Sequence, residues 1–494
     1  MKIKELFSGI EHTILVGDED YDVNIIENKS SGIFNKDTMF VCISGFKADG
    51  HNYANDAVRK GAGAILIEKD VNIDDNNVTV VKVKNTRETL SKIAFKILGN
   101  PQKRIKTIGV TGTSGKTSTT IILENILRNI NIKSAVLGTL GCRIGKDTIP
   151  INITTRTTPD ILELSQMFDY INKQNVDHVI MEATSHALDL ERVSMLNFEV
   201  GIFTNIGIEH LDFHKTLDSY AAAKFKLFGL SNNAVINIDD EYGKKFFGDI
   251  NKPKLSISIK DEKANLYAYN IKVNQNGTYF DLRYDNIIYK KVHTNLIGDF
   301  SVYNILSAIA ATLLSEKTEL REIIPCLSNI DHISGRFEPI YNNIGVNIII
   351  DYAHTPEQFE NIFKVSKGFT SKKLITLFGC GGDRDNSKRP LMGEMAARYS
   401  DFVIVAEDNP RSEDPNNINA QVEVGLKKFQ TPYKLITDRK KAIEYVLSEV
   451  AKQGDTFLML GKGPEEYQEY KNGEKVHFSE KEVIKGFLDG ISSI

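Results

Sequence analysis

The chain has 494 residues, more than one hydrophobic core ordinarily supports, so about three domains are expected. With 61 basic and 65 acidic residues the formal charge is −4, which gives no global field for drawing in nucleic acid or an anionic membrane. Cys42, Cys142, Cys326 and Cys380 are far apart and form neither a CxxC pair nor a zinc spacing, which fits a reduced cytoplasmic setting. Glu5, Glu11 and His12 interrupt any signal-peptide core, and no apolar run reaches membrane-spanning length, so a soluble intracellular protein is expected.

From the start to about Pro101 the pattern is α/β. Met39 to Ile43 and Ala64 to Ile67 read as buried strands, with a helical stretch from Tyr53 to Lys60 stopped at Gly61. His51 is either a ligand contact or a loop and cap residue. Asp74 to Asn77 reads as a turn, and Asn100-Pro101 as a domain boundary. Next comes Ile108-Gly-Val-Thr-Gly-Thr-Ser-Gly-Lys-Thr-Ser118, which joins a strand signal to a helix carrying Ile122, Leu123, Ile126 and Leu127 at helical spacing. Gly112 and Gly115 would let backbone N–H groups close on phosphate oxygens; Lys116 would neutralise the outer phosphates and the Thr117 hydroxyl would hold Mg²⁺. The strict pattern wants glycine where Val110 stands, so the loop is a shorter variant, and alone it could be a glycine turn with an exposed lysine.

Strands are predicted at Val179 to Met181, Val200 to Phe203 and Ala234 to Asn237, with helices between them. The alternation from Ile271 to His293 around Asn276-Gly277 predicts a β-hairpin. Polar residues follow the strand signals where such folds place ligands: Glu182-Ala-Thr-Ser-His186 after Met181, and Thr204-Asn205 then Glu209-His210-Leu-Asp-Phe-His214 after Phe203. Each segment could equally be a capped, solvated loop. On the predicted helix Leu217 to Phe228, Lys224 lies among small and apolar residues, although spacing alone favours a surface lysine. After Ser334-Gly335, strand signals at Asn347 to Ile350, Leu374 to Phe378, Phe402 to Val405 and Phe457 to Leu460 predict a further, doubly wound domain.

The loop 111–117, Glu182-Ala-Thr-Ser-His-Ala-Leu188, Glu209 to His214 and Ala223-Lys224 together resemble the Mur ligase family. Gly298 to Asn304, Gly335-Arg-Phe-Glu338, Asp351-Tyr-Ala-His-Thr-Pro356, Gly379 to Asp385 and Gly461-Lys-Gly463 continue the resemblance in family order. It implies an α/β protein of three domains: an N-terminal UDP-sugar-binding domain (1–102), a central P-loop ligase domain with a parallel sheet (103–333), and a C-terminal Rossmann-like domain for the incoming amino acid (334–494). It also implies an ATP-dependent amide ligase of peptidoglycan precursor synthesis, working through an acyl phosphate.

By the same resemblance, Gly112, Thr113, Ser114, Gly115, Lys116, Thr117, Ser118, Asn304, Arg336 and Asp351 would bind ATP. Thr117, Glu182, His210 and a carbamylated Lys224 would hold Mg²⁺, with Lys116, Lys224 and His210 the catalytic set. Ser31, Thr157, Thr158, Ser185 and Arg192 would contact a UDP-sugar-dipeptide. Ligands from two domains imply closure. Arg389, Asp408, Asn409, Pro410, Arg411, Gly461 and Glu465 would receive a diamino acid. Asp408-Asn-Pro-Arg411 goes in the family with meso-diaminopimelate, whose distal carboxylate Arg411 could grip bidentately; read alone, it is a turn before a helix. Departures from the pattern are Ser30-Ser31-Gly32 for Asp-Ser-Arg, Ser114, Glu209, Ser301 and Pro464. A lysine-adding member, a diverged paralogue joining another acid and amine, and a nucleotide-binding scaffold are the alternatives. A monomer is expected.

Overall fold

The computed structural model describes residues 1–492 apart from Ile33, Phe46, Lys47, Thr155 and Arg156. The family-like stretch 45–50 therefore lies partly outside the described residues. The chain groups into two compact units: Met1–Ile257 with Ser307–Leu320, and Ser258–Leu306 with Arg321–Ile494.

The first unit contains two sheets. Near the N-terminus, Thr79–Lys82, Ala64–Ile67, Thr38–Val41 and Ile25–Glu27 pair in parallel, and Thr13–Val16 pairs antiparallel with Thr79–Lys82 at that edge. The inner strands are uninterrupted buried runs, as parallel strands covered on both faces require. Helix Thr86–Lys96, capped by the Asn85 side chain, lays Phe95 edge-on to Phe168 of helix Ile161–Lys173, with ring centroids 5.8 Å apart. One hydrophobic core thus runs from Ile3 and Phe7 through Phe95 and Phe168 to Phe198, which is why the first hundred residues group with the following sheet.

The second sheet is larger. Lys254–Ser258, Ser231–Asn237, Phe198–Phe203, Lys106–Thr111, His178–Glu182 and Ser134–Gly138 run parallel in that order, and Gly141–Ile144 and Asp147–Thr148 extend it antiparallel. The carboxyl ends of the three central strands bring Thr111, Glu182 and Phe203 to one edge.

In the second unit, Leu266–Asn274, Gly277–Tyr284 and Ile287–Thr294 form an antiparallel meander. The expected hairpin is there, with its turn at Gln275-Asn276, because Gly277 is already paired with Asn274. The C-terminal sheet runs Glu338–Ile340, Asn347–Asp351, Thr456–Leu460, Leu374–Phe378, Phe402–Val405, Tyr433–Leu435; only the first is antiparallel. The last long strand inserts between the first two parallel ones, so the order reverses beside Thr456–Leu460. Asp351, Phe378 and Leu460 end at this switch point, where doubly wound sheets open a crevice. The α/β class expected from sequence is the observed one.

Candidate active site

Strand Lys106–Thr111 feeds the glycine loop, and helix Lys116–Asn129 leaves it. A Cβ on Gly112 would collide with the Thr204 hydroxyl, so the loop can pass this neighbour only as glycine. Backbone N–H groups of Thr113 and Ser114 donate to the Asn205 carbonyl (2.8 Å) and its Oδ1 (2.9 Å). Thr204 Oγ1 donates to the Ser114 carbonyl at 2.6 Å. Thr204-Asn205, a strand-end pair in the sequence, is therefore the brace of the loop. Lys116 Nζ folds back on the carbonyls of Gly112 (2.9 Å) and Thr113 (2.8 Å).

Glu182 stands at the neighbouring strand end, 1% exposed. It accepts from Thr117 Oγ1 at 3.0 Å, from the Thr139 N–H at 2.8 Å and from Thr139 Oγ1 at 3.2 Å. A Cβ on Gly138 would strike the carboxylate, so a glycine leaves room for it. The hydroxyl of Thr117 beside a carboxylate oxygen offers two hard donors of the type that Mg²⁺ prefers, so these residues fit that ion. Among the described residues no three His, Cys, Asp or Glu side chains converge as a metal cluster.

Lys224 is where the reading from spacing fails. Helix Leu217–Gly229 does not present it to solvent: it is 1% exposed, its Nζ donates to the Gly112 carbonyl at 2.7 Å, and it lies 4.2 Å from the centre of the Tyr220 ring. Burial holds the amine well below the ordinary lysine range, Lys116 pushes it the same way, and Glu209 opposes them. Tyr220, itself buried, reaches Thr113 Oγ1 at 3.2 Å.

His210 adopts a left-handed backbone (φ +57°) ahead of the short helix Leu211–His214, and its side chain is 44% exposed. Burial lowers its imidazole to about 4 despite Glu209. Its ring lies 4.9 Å from His186, which also packs on Phe213 and His214. Beside this cluster, His214 Nε2 and Ser185 Oγ are 2.9 Å apart. Thr158 Oγ1 donates to the Glu182 carbonyl at 2.8 Å, Arg192 Nη1 reaches the Thr158 carbonyl at 3.4 Å, and Thr157 Oγ1 meets Thr139 Oγ1 at 3.2 Å. The structure thus gathers Thr157, Thr158, Ser185 and Arg192 around one strand end. Ser31 is exposed on the loop where Lys29 reaches Thr154 Oγ1 at 3.2 Å and Lys60 bonds the Ser30 carbonyl. His51 is the structural alternative: its Nε2 accepts from the Glu68 N–H at 3.1 Å, so Nδ1 donates to Asp49 at 2.6 Å.

In the second unit, burial raises the Asp351 carboxyl and the charge of Arg336 acts against it. The Asp351 carboxylate accepts from the N–H groups of Phe337 and Ala353, each at 2.6 Å, and the Arg336 guanidinium lies 4.8 Å from the Tyr352 ring centre. Asn304 is buried in helix Asp299–Ser315. Pro464 packs against Gly335, so the departure at 464 abuts the Arg336 turn.

At the switch point, Lys462 is wholly buried among Asp408 (3.4 Å), Asn409 Oδ1 (3.1 Å) and Glu465 (3.6 Å). Asn409 Nδ2 donates to Glu465 at 2.7 Å. Arg411 bonds Glu469 Oε2 through Nε at 3.1 Å and the Gly382 carbonyl through Nη1 at 2.7 Å. Arg389 is 0% exposed, its terminal nitrogens spent on Glu413, Gln421 and the Gly381 carbonyl, which makes it a brace of the 381–413 wall. Sequence reasoning quoted Gly461-Lys-Gly463 without assigning Lys462, and missed Thr139, Tyr220, Glu413 and Glu469. A lysine between two glycines was a usable signal; the other four depend on pairing across the fold.

A glycine phosphate loop at the carboxyl edge of a parallel sheet, with a second, doubly wound sheet in the same chain, defines a phosphate-loop α/β protein. Sequence comparison narrows this. The Mur ligase middle domain matches residues 110–312, the Mur ligase glutamate ligase domain 335–463, and the Mur ligase family catalytic domain 22–96. The UDP-N-acetylmuramoyl-L-alanyl-D-glutamate–2,6-diaminopimelate ligase 1 of Clostridium acetobutylicum is 38% identical over 490 residues, 99% of each chain. The ligase of that name from Clostridioides difficile is 40% identical over 497 residues, again 99% of each. A solved structure of a 2,6-diaminopimelate ligase of this name superposes with a TM-score of 0.71 at 27% identity, covering 100% of this chain and 99% of that one. The ADP complex of the Thermotoga maritima MurF ligase shares the fold at a TM-score of 0.63 and 22% identity, over 90% of this chain and 94% of that one. The chain belongs to the Mur ligase family.

Proposed function

We propose that the chain is an ATP-dependent amide ligase that adds meso-diaminopimelate to UDP-N-acetylmuramoyl-L-alanyl-D-glutamate through an acyl phosphate, in cytoplasmic peptidoglycan precursor synthesis. The division of labour follows the stretches 1–102, 103–333 and 334–494, with Asn304, Arg336 and Asp351 assigned to the nucleotide and Ser31, Thr157, Thr158, Ser185 and Arg192 to the UDP-sugar-dipeptide. The observation that carries the chemistry is a lysine buried against the phosphate loop, with burial favouring its neutral amine.

A neutral amine can add to CO₂ and lose one proton, and the carbamate on Lys224 is then an anionic oxygen ligand. Thr117, Glu182, His210 and that carbamate would hold Mg²⁺, which when bound neutralises phosphate and carboxylate charge that would otherwise repel. Loop N–H groups and the helix N-terminus orient the phosphates, and Lys116 exchanges its two carbonyl bonds for phosphate oxygens. The substrate carboxylate attacks the γ-phosphorus and ADP leaves. The diamino acid's amine then adds to the acyl carbon, loses a proton and expels phosphate. The lowered imidazole of His210 favours the neutral ring that a metal ligand requires.

For the amine, Asp408, Arg411 and Glu465 supply charges and Asn409 an amide, and Arg411 would take the distal carboxylate. Phosphate release should require the UDP-sugar-dipeptide, ATP and meso-diaminopimelate together. Release with lysine and none with diaminopimelate would overturn the amino-acid assignment. The second reading, a paralogue for another acid, is favoured by Gly32, which removes the family's arginine from the N-terminal loop. Calorimetry showing ATP binding without UDP-sugar binding would select it.

A further inference from the structure

The Arg411 guanidinium is 17% exposed and already has an anion of its own chain beside it. Glu469, 21% exposed, accepts from Nε, and the Glu469 carbonyl also accepts from the Arg411 N–H at 3.0 Å, with Arg411 in a left-handed backbone (φ +52°). The Gly382 carbonyl takes one proton of Nη1. Nη2 and the second proton of Nη1 remain at the outer end of the fork. We propose that Glu469 is a specificity-determining residue of the amino-acid site: it stands in for the ligand's distal carboxylate on Arg411, so amino acids lacking that carboxylate are penalised less than Arg411 alone would dictate. This rests on the ligase reading above.

The argument is one of charge balance. A half-buried guanidinium without an anion is costly, and that cost is what would normally reject a ligand unable to supply one. Here Glu469 neutralises the charge whatever ligand is present. A distal carboxylate arriving at the Nη end becomes the second anion on one cation, and its repulsion from Glu469 weakens the grip. Both effects narrow the gap between a dicarboxylic diamino acid and lysine. Lys462 does not relieve the crowding, since its charge is already shared by Asp408 and Glu465.

The test compares kcat and KM for meso-diaminopimelate and L-lysine in wild type and Glu469→Gln, with ATP and the UDP-sugar-dipeptide saturating. The variant should lower KM for diaminopimelate and raise KM for lysine, widening discrimination about tenfold. In an Arg411→Ala background the same substitution should leave the ratio untouched, an outcome a merely structural Glu469 would not produce. An unchanged or narrowed ratio, with wild type active, overturns this assignment alone. Wild type inactive on every diamino acid overturns the ligase reading and this assignment with it.

Discussion

The phosphate-loop edge of the first unit and the switch-point crevice of the second are built on different plans. At the loop, side chains are held largely by backbone groups: Lys116 by two carbonyls, Lys224 by one, Glu182 by the Thr139 N–H. At the crevice, charges hold charges: Lys462 sits among Asp408 and Glu465, Arg411 faces Glu469, and Arg389 faces Glu413. A backbone frame keeps its geometry when one side chain changes, whereas a web of ion pairs redistributes. Reaction chemistry that must stay fixed fits the first plan, and a choice among related amines fits the second.

The sharpest way to break this contrast is at Lys224. Lys224→Ala removes the proposed carbamate yet leaves the Gly112 loop braced by Asn205 and Thr204, so ADP formation should fall about a thousandfold or more while the fold persists. Small carboxylates such as acetate should restore part of the rate. Full activity in the variant would remove Lys224 from the chemistry. Lys462→Met tests the other plan. It leaves Asp408 and Glu465 facing each other around an apolar side chain, and KM for the diamino acid should rise about tenfold to a hundredfold with kcat for bound substrate less affected. Steady-state kinetics with varied amino acid would read this, and a pure loss of kcat would contradict it.

The two regions also differ in how far sequence exposes them. The phosphate loop is a local object: Gly112, Gly115, Lys116 and Thr117 lie within six residues between a strand and a helix, and spacing alone suggests the arrangement. The C-terminal strands were equally readable, because buried parallel strands are apolar throughout. Lys224 was legible only in part. Its small neighbours hinted at burial, but that its amine meets the Gly112 carbonyl depends on a contact across 112 residues of chain. The partners of Arg411 and Arg389 were not legible at all, since any of the 65 acidic residues could in principle have served. The two-unit grouping was hidden for a similar reason: the Phe95–Phe168 contact that joins the first two sheets is set by packing between distant helices.

A smaller effect is expected for the thiols. All four cysteines are buried, and burial pushes Cys42 and Cys380 up to about 12 and Cys142 up to about 11. A thiol-specific disulfide reagent at pH 8 should label none of them in the folded protein and all four after denaturation. Rapid labelling of Cys380 without unfolding would mean that the C-terminal unit opens far more readily than its packing implies.

The finest test concerns the Arg389–Glu413 pair. Arg389 holds the Glu413 carboxyl below the ordinary glutamate value of 4.5, with burial opposing it. A folded-state value below the unfolded one means the folded protein binds fewer protons between the two. The pair's contribution is therefore complete above 4.5 and fades as pH falls through the folded-state value. Glu413 is 31% exposed, so solvent screening keeps the effect modest. Glu413→Gln should lower the melting temperature of the C-terminal unit by a few degrees, roughly 2–4 °C, at pH 7. The chain has no tryptophan, so circular dichroism is the direct readout. The gap between wild type and variant should close as the buffer is taken toward the acid side of 4.5. A gap that stays constant across that range would mean that Glu413 supports the 381–413 wall through packing and neutral hydrogen bonds, and the crevice would then resemble the loop more than the ion-pair plan allows.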